Sequence, residues 1–385
     1  MSSGLFALID LGSFTLIGIG CGFVVLWMID RRRGHALLFA AAILCFFASN
    51  WVLSLGGDVA LSASVHGVLL PIGFVLLADG LLRRSGERLA YSAAIVIIVA
   101  LASAVWYFAY VSPMVSGRIV TQNVCLGIVV VFTAARLWVS RGRRPSDTSV
   151  VVAISVLSVG LFVTAFLVPF SDLPREVASD GAIGQFARSP VALGITVVTV
   201  VILPLVMLVV LAAIVADLVG DLRVERDRDE LTGLLNRRGF TERATVALRS
   251  AASAALILAD LDFFKKVNDE LGHAGGDFAL TTFADLLRSE PDTSHVTGRI
   301  GGEEFAVLTP DLGAAGALAF AESVRSRLAA HTFAYGGASK SLTASFGVAT
   351  AHVPASLPEL MDAADAALYE AKARGRNCTV LHQPR

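Results

Sequence analysis

Two acidic segments in the C-terminal part of the chain carry the residues best suited to chemistry. One is Asp260-Leu261-Asp262, at the end of an apolar run, and the other is Gly301-Gly302-Glu303-Glu304. Carboxylates combined with water and phosphate oxygens suit Mg²⁺, and also Mn²⁺. Two such ions can activate an attacking oxygen and stabilise a leaving phosphate oxygen. The two segments therefore point to metal-assisted phosphoryl chemistry, with a solvated acidic turn as the alternative for the second one.

Other side chains nearby suit the remaining parts of a nucleotide. The backbone amides of Phe263-Phe264-Lys265 and the lysine charge could hold a triphosphate. Lys372 and Arg376 are four residues apart on or beside a predicted helix, so they form either a second phosphate clamp or a solvated basic face. Asn268 and Asp277 offer the donor and acceptor groups that fit the edge of a guanine.

The hydrophobic pattern around these residues predicts one soluble α/β domain. Its elements follow the order β-α-β-β-α-β and then a helix, which is typical of a ferredoxin-like or polymerase-palm-like sheet. In such a sheet the first strand ends beside the central hairpin, so we expect Asp260 and Glu303 to meet. The predicted strands are Ala254–Leu261, Val296–Ile300, Phe305–Thr309, Leu342–Thr350 and Asn377–Leu381, and the helices are Ala274–Ser289, Gly313–Ala330 and Leu357–Arg374.

The first half of the chain has the composition of a membrane protein. The whole chain is 55% hydrophobic with a mean hydropathy of +0.71, and its net charge of −1 gives no basic excess for nucleic acid. Seven apolar runs are each long enough to cross a bilayer as a helix. We therefore predict a seven-helix sensor domain (1–216), a linker (217–229) and a catalytic domain (230–385). The runs are Leu5–Ile29, His35–Leu55, Val59–Leu82, Leu89–Val111, Ile119–Val139, Thr148–Phe170 and Val191–Ala216.

Arginine placement predicts how these spans are oriented. Arginine clusters occupy the first, third and fifth connections, at 31–33, 83–88 and 141–144. Because positive residues favour the cytoplasmic side, we expect the N-terminus outside and the C-terminal domain in the cytoplasm, on a multi-pass membrane protein.

Polar residues inside the spans hint at what the membrane region does. A retinal protein is excluded, because every lysine comes after residue 264 and none can form a Schiff base within a span. Asp10, His66 and Asp79 are ionisable residues in or near spans, and His66 is the one most suited to sensing, although interfacial or interhelix hydrogen bonding is the alternative for each. The short outer loops leave a small ligand, a lipidic ligand or a membrane property as the signal.

Two further features have less specific interpretations. In the linker, Leu218, Leu222 and Val224 recur at near-helical spacing among dense charges. This pattern fits either an exposed connection or a helix that pairs with its copy and transmits movement. The four cysteines have no metal-like or paired spacing, so we expect them to be packing residues.

The C-terminal domain resembles the GGDEF family of bacterial diguanylate cyclases. The motifs run in the family's order from 229 to 377. They are Asp229-Glu-Leu-Thr-Gly-Leu-Leu-Asn-Arg-Arg238, Asp260-Leu-Asp-Phe-Phe-Lys-Lys-Val-Asn-Asp269, Gly272-His273, Gly276-Asp277, Arg299-Ile-Gly-Gly-Glu-Glu-Phe305, Thr343-Ala-Ser-Phe-Gly-Val-Ala349, Ala364-Asp-Ala-Ala-Leu-Tyr-Glu-Ala-Lys372 and Gly375-Arg-Asn377.

The resemblance implies a reaction and a set of roles. Two GTP molecules, one on each subunit of a homodimer, would be joined into cyclic di-GMP with release of pyrophosphate, and cyclic di-GMP receptors would act downstream. Two Mg²⁺ ions per site would be bound by Asp260, Glu303 and the Leu261 carbonyl. Glu304 would support the metals or activate the hydroxyl. For GTP, Gly301 and Gly302 would allow close approach, Asn268 and Asp277 would read guanine, and Phe263, Phe264, Lys265, Lys372 and Arg376 would hold the β- and γ-phosphates.

One position departs from the family, and three rival functions stay open. Many members carry an Arg-x-x-Asp product-binding site, where this chain has Asp292 and His295, so no product inhibition through that site is expected. The rivals are a GTP-binding receptor without catalysis, a transporter or channel with a regulatory nucleotide domain, and an adenylate-type cyclase on a related fold.

Overall fold

The computed structural model describes residues 2–54, 59–140, 144–175, 180–289, 295–335, 338–352 and 355–383. It divides into two compact units, Met1–Gly220 and Asp221–Arg385. The boundary falls inside the predicted linker, and a helix that ends at Arg226 runs across it. Each unit has its own hydrophobic core.

The N-terminal unit is made of apolar helices. Short π-helical turns, Tyr107–Val111 and Val197–Ile202, continue α4 and join α8 to α9. A 3₁₀ turn, Val168–Phe170, follows α6. The α-helices are α1 Ser2–Ile29, α2 His35–Ser54, α3 Val59–Arg84, α4 Tyr91–Trp106, α5 Val115–Val139, α6 Asp147–Phe166, α7 Asp180–Ala187, α8 Pro190–Thr196 and α9 Leu203–Arg226.

Six helical segments among the described residues are long and apolar enough to cross a membrane. α1 adds a shorter apolar helix over Phe14–Ile29, and most of its earlier side chains, including that of Asp10, lie outside the described ones. The predicted count of seven spans therefore stays a prediction. The six are His35–Leu53, Ala60–Arg84, Tyr91–Val111, Val115–Val139, Asp147–Phe166 and Pro190–Arg226.

A buried ion network joins three helices at the arginine-rich end of this unit. Arg84, at the end of α3, donates to Asp147 Oδ1 at 2.6 Å and to Asp217 Oδ2 at 2.9 Å. Ser146 accepts from the same guanidinium at 2.6 Å and donates to Asp217 at 2.8 Å. Arg144 adds a second cation 2.9 Å from Asp217. The network fastens α9, the helix that leaves the unit, to α3 and α6.

The C-terminal unit is a mixed sheet between helices, which confirms the predicted fold class. The strands are β1 Leu235–Asn236, β2 Ser253–Leu261, β3 Val296–Arg299, β4 Glu304–Pro310, β5 Thr332–Tyr335, β6 Ala338–Ser341, β7 Ala344–His352 and β8 Thr379–Leu381. The helices are α10 Arg237–Ser250, α11 Phe264–Arg288, α12 Ala314–Ala330 and α13 Leu357–Ala373. The main sheet has the order β1-β3-β4-β2-β7-β8, and β5 and β6 pair separately. Its inner four strands have the ferredoxin-like arrangement.

Strand β2 is buried on both faces because helices cover both sides of the sheet. Ala255, Ile257 and Ala259 belong to the core formed with α11 and α12. Leu256 and Leu258, which alternate with them, belong to the core formed with α10 and α13. This period of two is the side-chain alternation of any strand. The result is that β2 ends, at Asp260 and Leu261, in the middle of the unit.

Five elements, β1, α10, β5, β6 and α11, differ from the sequence-based expectation. The short strand β1 and helix α10 precede the first predicted strand, and the β5–β6 hairpin was not predicted. Helix α11 begins at Phe264 rather than Ala274, and is broken at Gly272, which has φ +70°. Glycine tolerates this left-handed conformation, so the chain turns there without steric cost.

Candidate functional site

The candidate site lies where β2 meets the turn between β3 and β4. Strand β2 pairs antiparallel with β4, and Asp260 stands opposite Glu304 in that register. The Leu261 amide donates to the Glu303 carbonyl at 3.3 Å. The structure therefore brings Asp260 and Glu303 together from segments more than 40 residues apart. The carbonyl of Leu261 belongs to the same strand end.

Burial opposes the ionisation of both carboxyl groups. It raises the pKa of Asp260, and the Lys372 ammonium, whose Nζ lies 2.8 Å from Oδ2, lowers it only in part. Burial also raises the pKa of Glu303, with further contributions from Asp260 and Glu304. A divalent cation would add positive charge beyond that of Lys372 and favour both ionised forms. Carboxylates and a strand-end carbonyl are donors that suit a hard cation, so the residues fit Mg²⁺.

This fit has one limit. Among the described residues no three acid, histidine or cysteine side chains are gathered closely enough to enclose a metal ion. Lys372 occupies Asp260 in this arrangement. A bound cation would thus have to displace the Lys372 ammonium from Asp260, or bind the Asp260 carboxylate together with that ammonium.

The glycine pair between β3 and β4 has two different physical roles. A Cβ at Gly301 would lie 2.3 Å from Glu304 Oε2, so the glycine makes room for that carboxylate. At Gly302 a Cβ would meet nothing within 4 Å, and the residue is exposed. Gly302 is therefore the part of the turn that is open to a large ligand. Glu304 itself is exposed beside it.

Asp229 fixes this turn from a distance of 70 residues. Its carboxylate accepts from Thr232 N at 2.9 Å and Arg299 Nη1 at 3.1 Å. Arg299 in turn donates to the Gly302 carbonyl at 2.7 Å. Burial opposes ionisation of Asp229, but the hydrogen bonds from Thr232 and Arg299 bring its pKa below the usual value. The sequence alone predicts no role for the side chains of Asp229 and Arg299.

The predicted phosphate-holding residues gather at the start of α11. Phe263 has φ 56°, and the helix begins directly after it, so Phe264 and Lys265 occupy its first turn. Amides there point outward along the helix axis and favour anions. Phe263 and Lys265 are exposed, whereas Phe264 is buried in the core.

Arg376 reaches this group from a turn and not from a helix. Helix α13 ends at Ala373, and Gly375, Arg376 and Asn377 all have positive φ. The Arg376 guanidinium lies 4.4 Å from the centre of the Phe263 ring. Lys372 and Arg376 therefore approach the strand end from the same side, although they do not share a helical face.

Asp262 holds that turn in place. It is buried and accepts from Thr343 Oγ1 and Ser345 Oγ, each at 2.7 Å, and from the Asn377 amide at 3.0 Å. Asp262 therefore has a different role from Asp260, because Thr343, Ser345 and the Asn377 amide already occupy its carboxylate.

The two predicted base-reading residues lie on either side of the break in α11. Asn268 precedes Gly272 and Asp277 follows it. A Cβ at Gly276 would lie 1.9 Å from Asn268 Oδ1, so the chain places Asn268 directly against the residue before Asp277. Asp277 is exposed. The kink thus brings the two polar groups to one place.

The predicted product-binding segment is described only in part. Asp292 lies outside the described residues. His295 packs its ring edge-on against Phe320, with 5.4 Å between the ring centres. The expected absence of product inhibition stays a prediction.

Comparison with known proteins assigns the C-terminal part of the chain, which contains this site, to a family. The model of the diguanylate cyclase GGDEF domain matches residues 226–378. Response regulator PleD of Caulobacter vibrioides is 40% identical over 159 residues, which are 40% of this chain and 35% of PleD. A 19.3 kDa protein of Streptomyces ambofaciens without a described function is 41% identical over 152 residues, 39% of this chain and 80% of that protein.

A solved structure, the active GGEEF domain of a diguanylate cyclase from Vibrio cholerae, is 32% identical. It covers 40% of this chain and 99% of its own, with a TM-score of 0.37. The chain spans about a third of PleD and about half of the diguanylate cyclases DgcS of Shewanella oneidensis and VdcA of V. cholerae.

Proposed function

Because its C-terminal half belongs to the GGDEF family, we propose that this chain is a diguanylate cyclase, which condenses two GTP into cyclic di-GMP and two pyrophosphates. In each half-reaction the ribose 3′-oxygen of one GTP attacks the α-phosphorus of the other. A new P–O bond forms, the bond to the bridging oxygen of pyrophosphate breaks, and the hydroxyl proton leaves. One observation carries the proposal: Asp260, Glu303 and Lys372 converge at a strand end beside the open Gly302.

Each residue contributes through its own chemistry. Lys372, Arg376 and the first-turn amides of α11 neutralise and orient the β- and γ-phosphates. Asn268 and Asp277 hydrogen-bond the guanine edge. Glu304 is exposed at the turn, where it can take the hydroxyl proton or support the cations.

Asp260, Glu303 and the Leu261 carbonyl would hold Mg²⁺, with Glu304 close by. Bound there, the ions would withdraw charge from the reacting phosphate and favour ionisation of the attacking hydroxyl. Burial raises the pKa of Asp260 and of Glu303, and a bound cation would offset the unfavourable free energy of their ionised forms. Mn²⁺ suits the same ligands.

The reaction needs two copies of the chain. One site of this kind holds one GTP, and its partner nucleotide must come from a second subunit facing it. Helix α9 is continuous to Arg226, and Val215, Val219 and Leu222 are exposed along it at spacings of four and three residues. We propose that this stripe pairs with its copy and that residues 217–226 of the predicted 217–229 linker act as a signalling helix, which ends at Arg226.

The N-terminal unit would anchor the enzyme in the inner membrane and regulate it. The arginine-rich connections would face the cytoplasm, together with the catalytic unit. The product would act on cyclic di-GMP receptors.

The test is turnover of GTP by residues 217–385 with Mg²⁺ at several protein concentrations. We expect cyclic di-GMP at a rate that rises more steeply than linearly with protein, because the dimer is the active species. Glu304→Gln should lower the rate about 100-fold or more. Glu242→Gln, which changes an exposed acid on α10, should not.

The full-length chain in lipid distinguishes the remaining possibility. If the isolated half binds GTP without turnover but the full-length protein turns it over, the dimer depends on the membrane unit. GTP binding with no product from either form would contradict the proposal and favour a receptor.

A further inference from the structure

A polar cluster lies among the apolar helices of the N-terminal unit, at the end opposite the arginine-rich connections. His66 is in the second turn of α3, and Arg118 and Gln122 are in the first two turns of α5. Ser49 is near the end of α2, across from His66. Ionisable groups at such depth are costly to keep in a membrane unit, so they call for a function.

His66 is held by one ring nitrogen only. Its Nδ1 lies 2.8 Å from Ser49 Oγ and 3.2 Å from the Ser49 carbonyl. Ser49 is fully buried, so this contact fixes the orientation of the ring. Over the described residues, Nε2 meets no hydrogen-bond partner, and in either tautomer it is left for another group. The Arg118 guanidinium is near enough to act electrostatically on the ring.

Arg118 and Gln122 also lack partners. In the described part of the chain no hydrogen bond or carboxylate reaches the Arg118 side chain, although the residue is half-buried. Gln122, one turn further on the same face, is 6% exposed, and its buried Nε2 has no hydrogen-bond partner. An unpaired buried amide costs free energy comparable to a lost hydrogen bond.

Two ionisable groups at the arginine-rich end of this unit, Asp79 and Arg84, have hydrogen-bond partners for their charged atoms. Asp79 accepts from Arg83 at 2.8 Å and from the Leu89 amide at 3.1 Å. Arg84 has two buried carboxylates and a hydroxyl. Among the described residues, these two charged groups are paired, whereas the Arg118 guanidinium and Gln122 Nε2 at the other end are left as open donors.

The geometry points to a binding site for an oxyanion, a carboxylate or a phosphate, between α3 and α5. The Arg118 guanidinium and Gln122 Nε2 can only donate, and His66 Nε2 can donate when Nδ1 accepts from Ser49. Three donors, with no carboxylate beside them among the described side chains, select a ligand rich in acceptors. The oxyanion can belong to a lipid headgroup or to a soluble acid.

Intrinsic tryptophan fluorescence tests binding in the complete protein. All four tryptophans, at 27, 51, 106 and 138, are in the N-terminal unit, so thermal unfolding followed by tryptophan reports this unit alone. The full-length chain is purified in dodecyl maltoside, which carries no anionic group. Phosphatidylglycerol, inorganic phosphate or acetate is then added at matched ionic strength, with neutral diacylglycerol as the apolar control.

We expect at least one anion to raise the unfolding midpoint by about 3 °C at a tenfold excess over its Kd, and diacylglycerol to have no effect. A response to phosphatidylglycerol alone identifies a lipid headgroup, and a response to phosphate or acetate identifies a soluble acid. No response to any anion would overturn the proposal.

Three variants separate this site from general charge effects. Arg118→Gln should abolish the response, whereas Arg136→Gln, at the other end of the same helix, should keep it. Gln122→Leu should raise the anion-free midpoint, since it removes the unpaired amide, and should weaken the response. An undiminished response in Gln122→Leu or Arg118→Gln would refute the assignment. The readout does not involve GTP, so its failure leaves the proposed reaction untouched.

Discussion

The folded chain disfavours the ionised form of the Glu303 carboxyl group. Burial and the neighbouring Asp260 and Glu304 raise its pKa above the ordinary 4.5. The folded state therefore binds the proton more tightly than the unfolded state, and stability falls as pH rises from 4.5 through the raised pKa. Above the raised pKa the full penalty is present.

We expect Glu303→Gln to stabilise the metal-free catalytic unit at pH 7. The unfolding midpoint of residues 217–385 should rise, by about 2–4 °C for each kcal/mol gained. The increase that Mg²⁺ gives to the parent should be lost. Differential scanning calorimetry with and without Mg²⁺ measures both effects.

Glu322→Gln is the control of opposite sign. The hydrogen bond from Arg325 lowers the pKa of Glu322, so its charge favours folding and its loss should lower the midpoint slightly. The Mg²⁺ response should remain. If Glu303→Gln also lowered the midpoint, or still responded to Mg²⁺, the strand end would not be the cation site.

Asp262 provides a second test at this scale. Asp262→Asn keeps the shape but weakens the bond to the Asn377 amide, and so loosens the turn that presents Arg376. We expect the KM for GTP to rise about fivefold, equivalent to about 1 kcal/mol, with a smaller change in kcat. Steady-state kinetics at fixed dimer concentration separates the two parameters.

Ser345→Ala is the matched comparison for this substitution. It removes one donor to the same carboxylate without touching the Asn377 amide. It should cost stability, by about 1 kcal/mol, but leave the KM unchanged. Equal KM effects in the two variants would mean that Asp262 acts only through general stability.

The residue types of the site could be predicted from the sequence, but the different roles of these residues could not. Asp260 and Asp262 are two residues apart in one motif, and nothing local distinguishes them. The Asp262 carboxylate accepts hydrogen bonds from Thr343 and Ser345, which are more than 80 residues away, and these bonds depend on the register of β2 against β7. Likewise, Gly301 makes room for Glu304, which only the turn geometry reveals.

At the scale of elements, the buried Arg84 network fastens the outgoing helix α9 to α3 and α6. The side chains of Arg84 and Asp147 are 1% exposed, and that of Asp217 is 6% exposed. Removing one partner of a buried ion pair leaves an uncompensated charge and typically costs about 3–5 kcal/mol. We expect Asp217→Asn to lower the tryptophan-detected unfolding midpoint of the full-length chain by several degrees.

The exposed pair between Arg136 and Glu87 gives the comparison. It joins α5 to the loop after α3, and its arginine is half-exposed. Exposed pairs contribute about 1 kcal/mol or less, so Glu87→Gln should shift the midpoint little. Equal shifts in the two variants would mean that the network around Arg84 does not fasten α9.

Strong periodicity explains which elements could be predicted. The core strands and most long apolar helices are predicted within about four residues of their observed ends, but the last apolar helix continues from the predicted end at Ala216 to Arg226. Helix α10 has an exposed polar face and few apolar residues, and β5 and β6 pair only with each other, so their sequences give weak signals. The early start of α11 was hidden because Gly272 interrupts its pattern.

At the scale of the whole molecule, the proposed function requires the catalytic unit to face the cytoplasm, where GTP is. Ala90 precedes α4, and Met114 lies between α4 and α5. Four of the six candidate spans separate Ala90 from the catalytic unit, so both should lie on one side of the membrane. Met114 should lie on the other side. Ala90 and the catalytic unit should lie on the same side whether or not α1 crosses the bilayer.

Cysteine labelling in intact cells tests the orientation. The native cysteines at 21, 45, 125 and 378 are first replaced, and Ala90→Cys or Met114→Cys is introduced; both positions are exposed. A membrane-impermeant maleimide should label the Met114→Cys chain in intact cells, and the Ala90→Cys chain only after lysis. The reverse pattern would place the catalytic unit outside, away from GTP, and would contradict both the orientation and the reaction that depends on it.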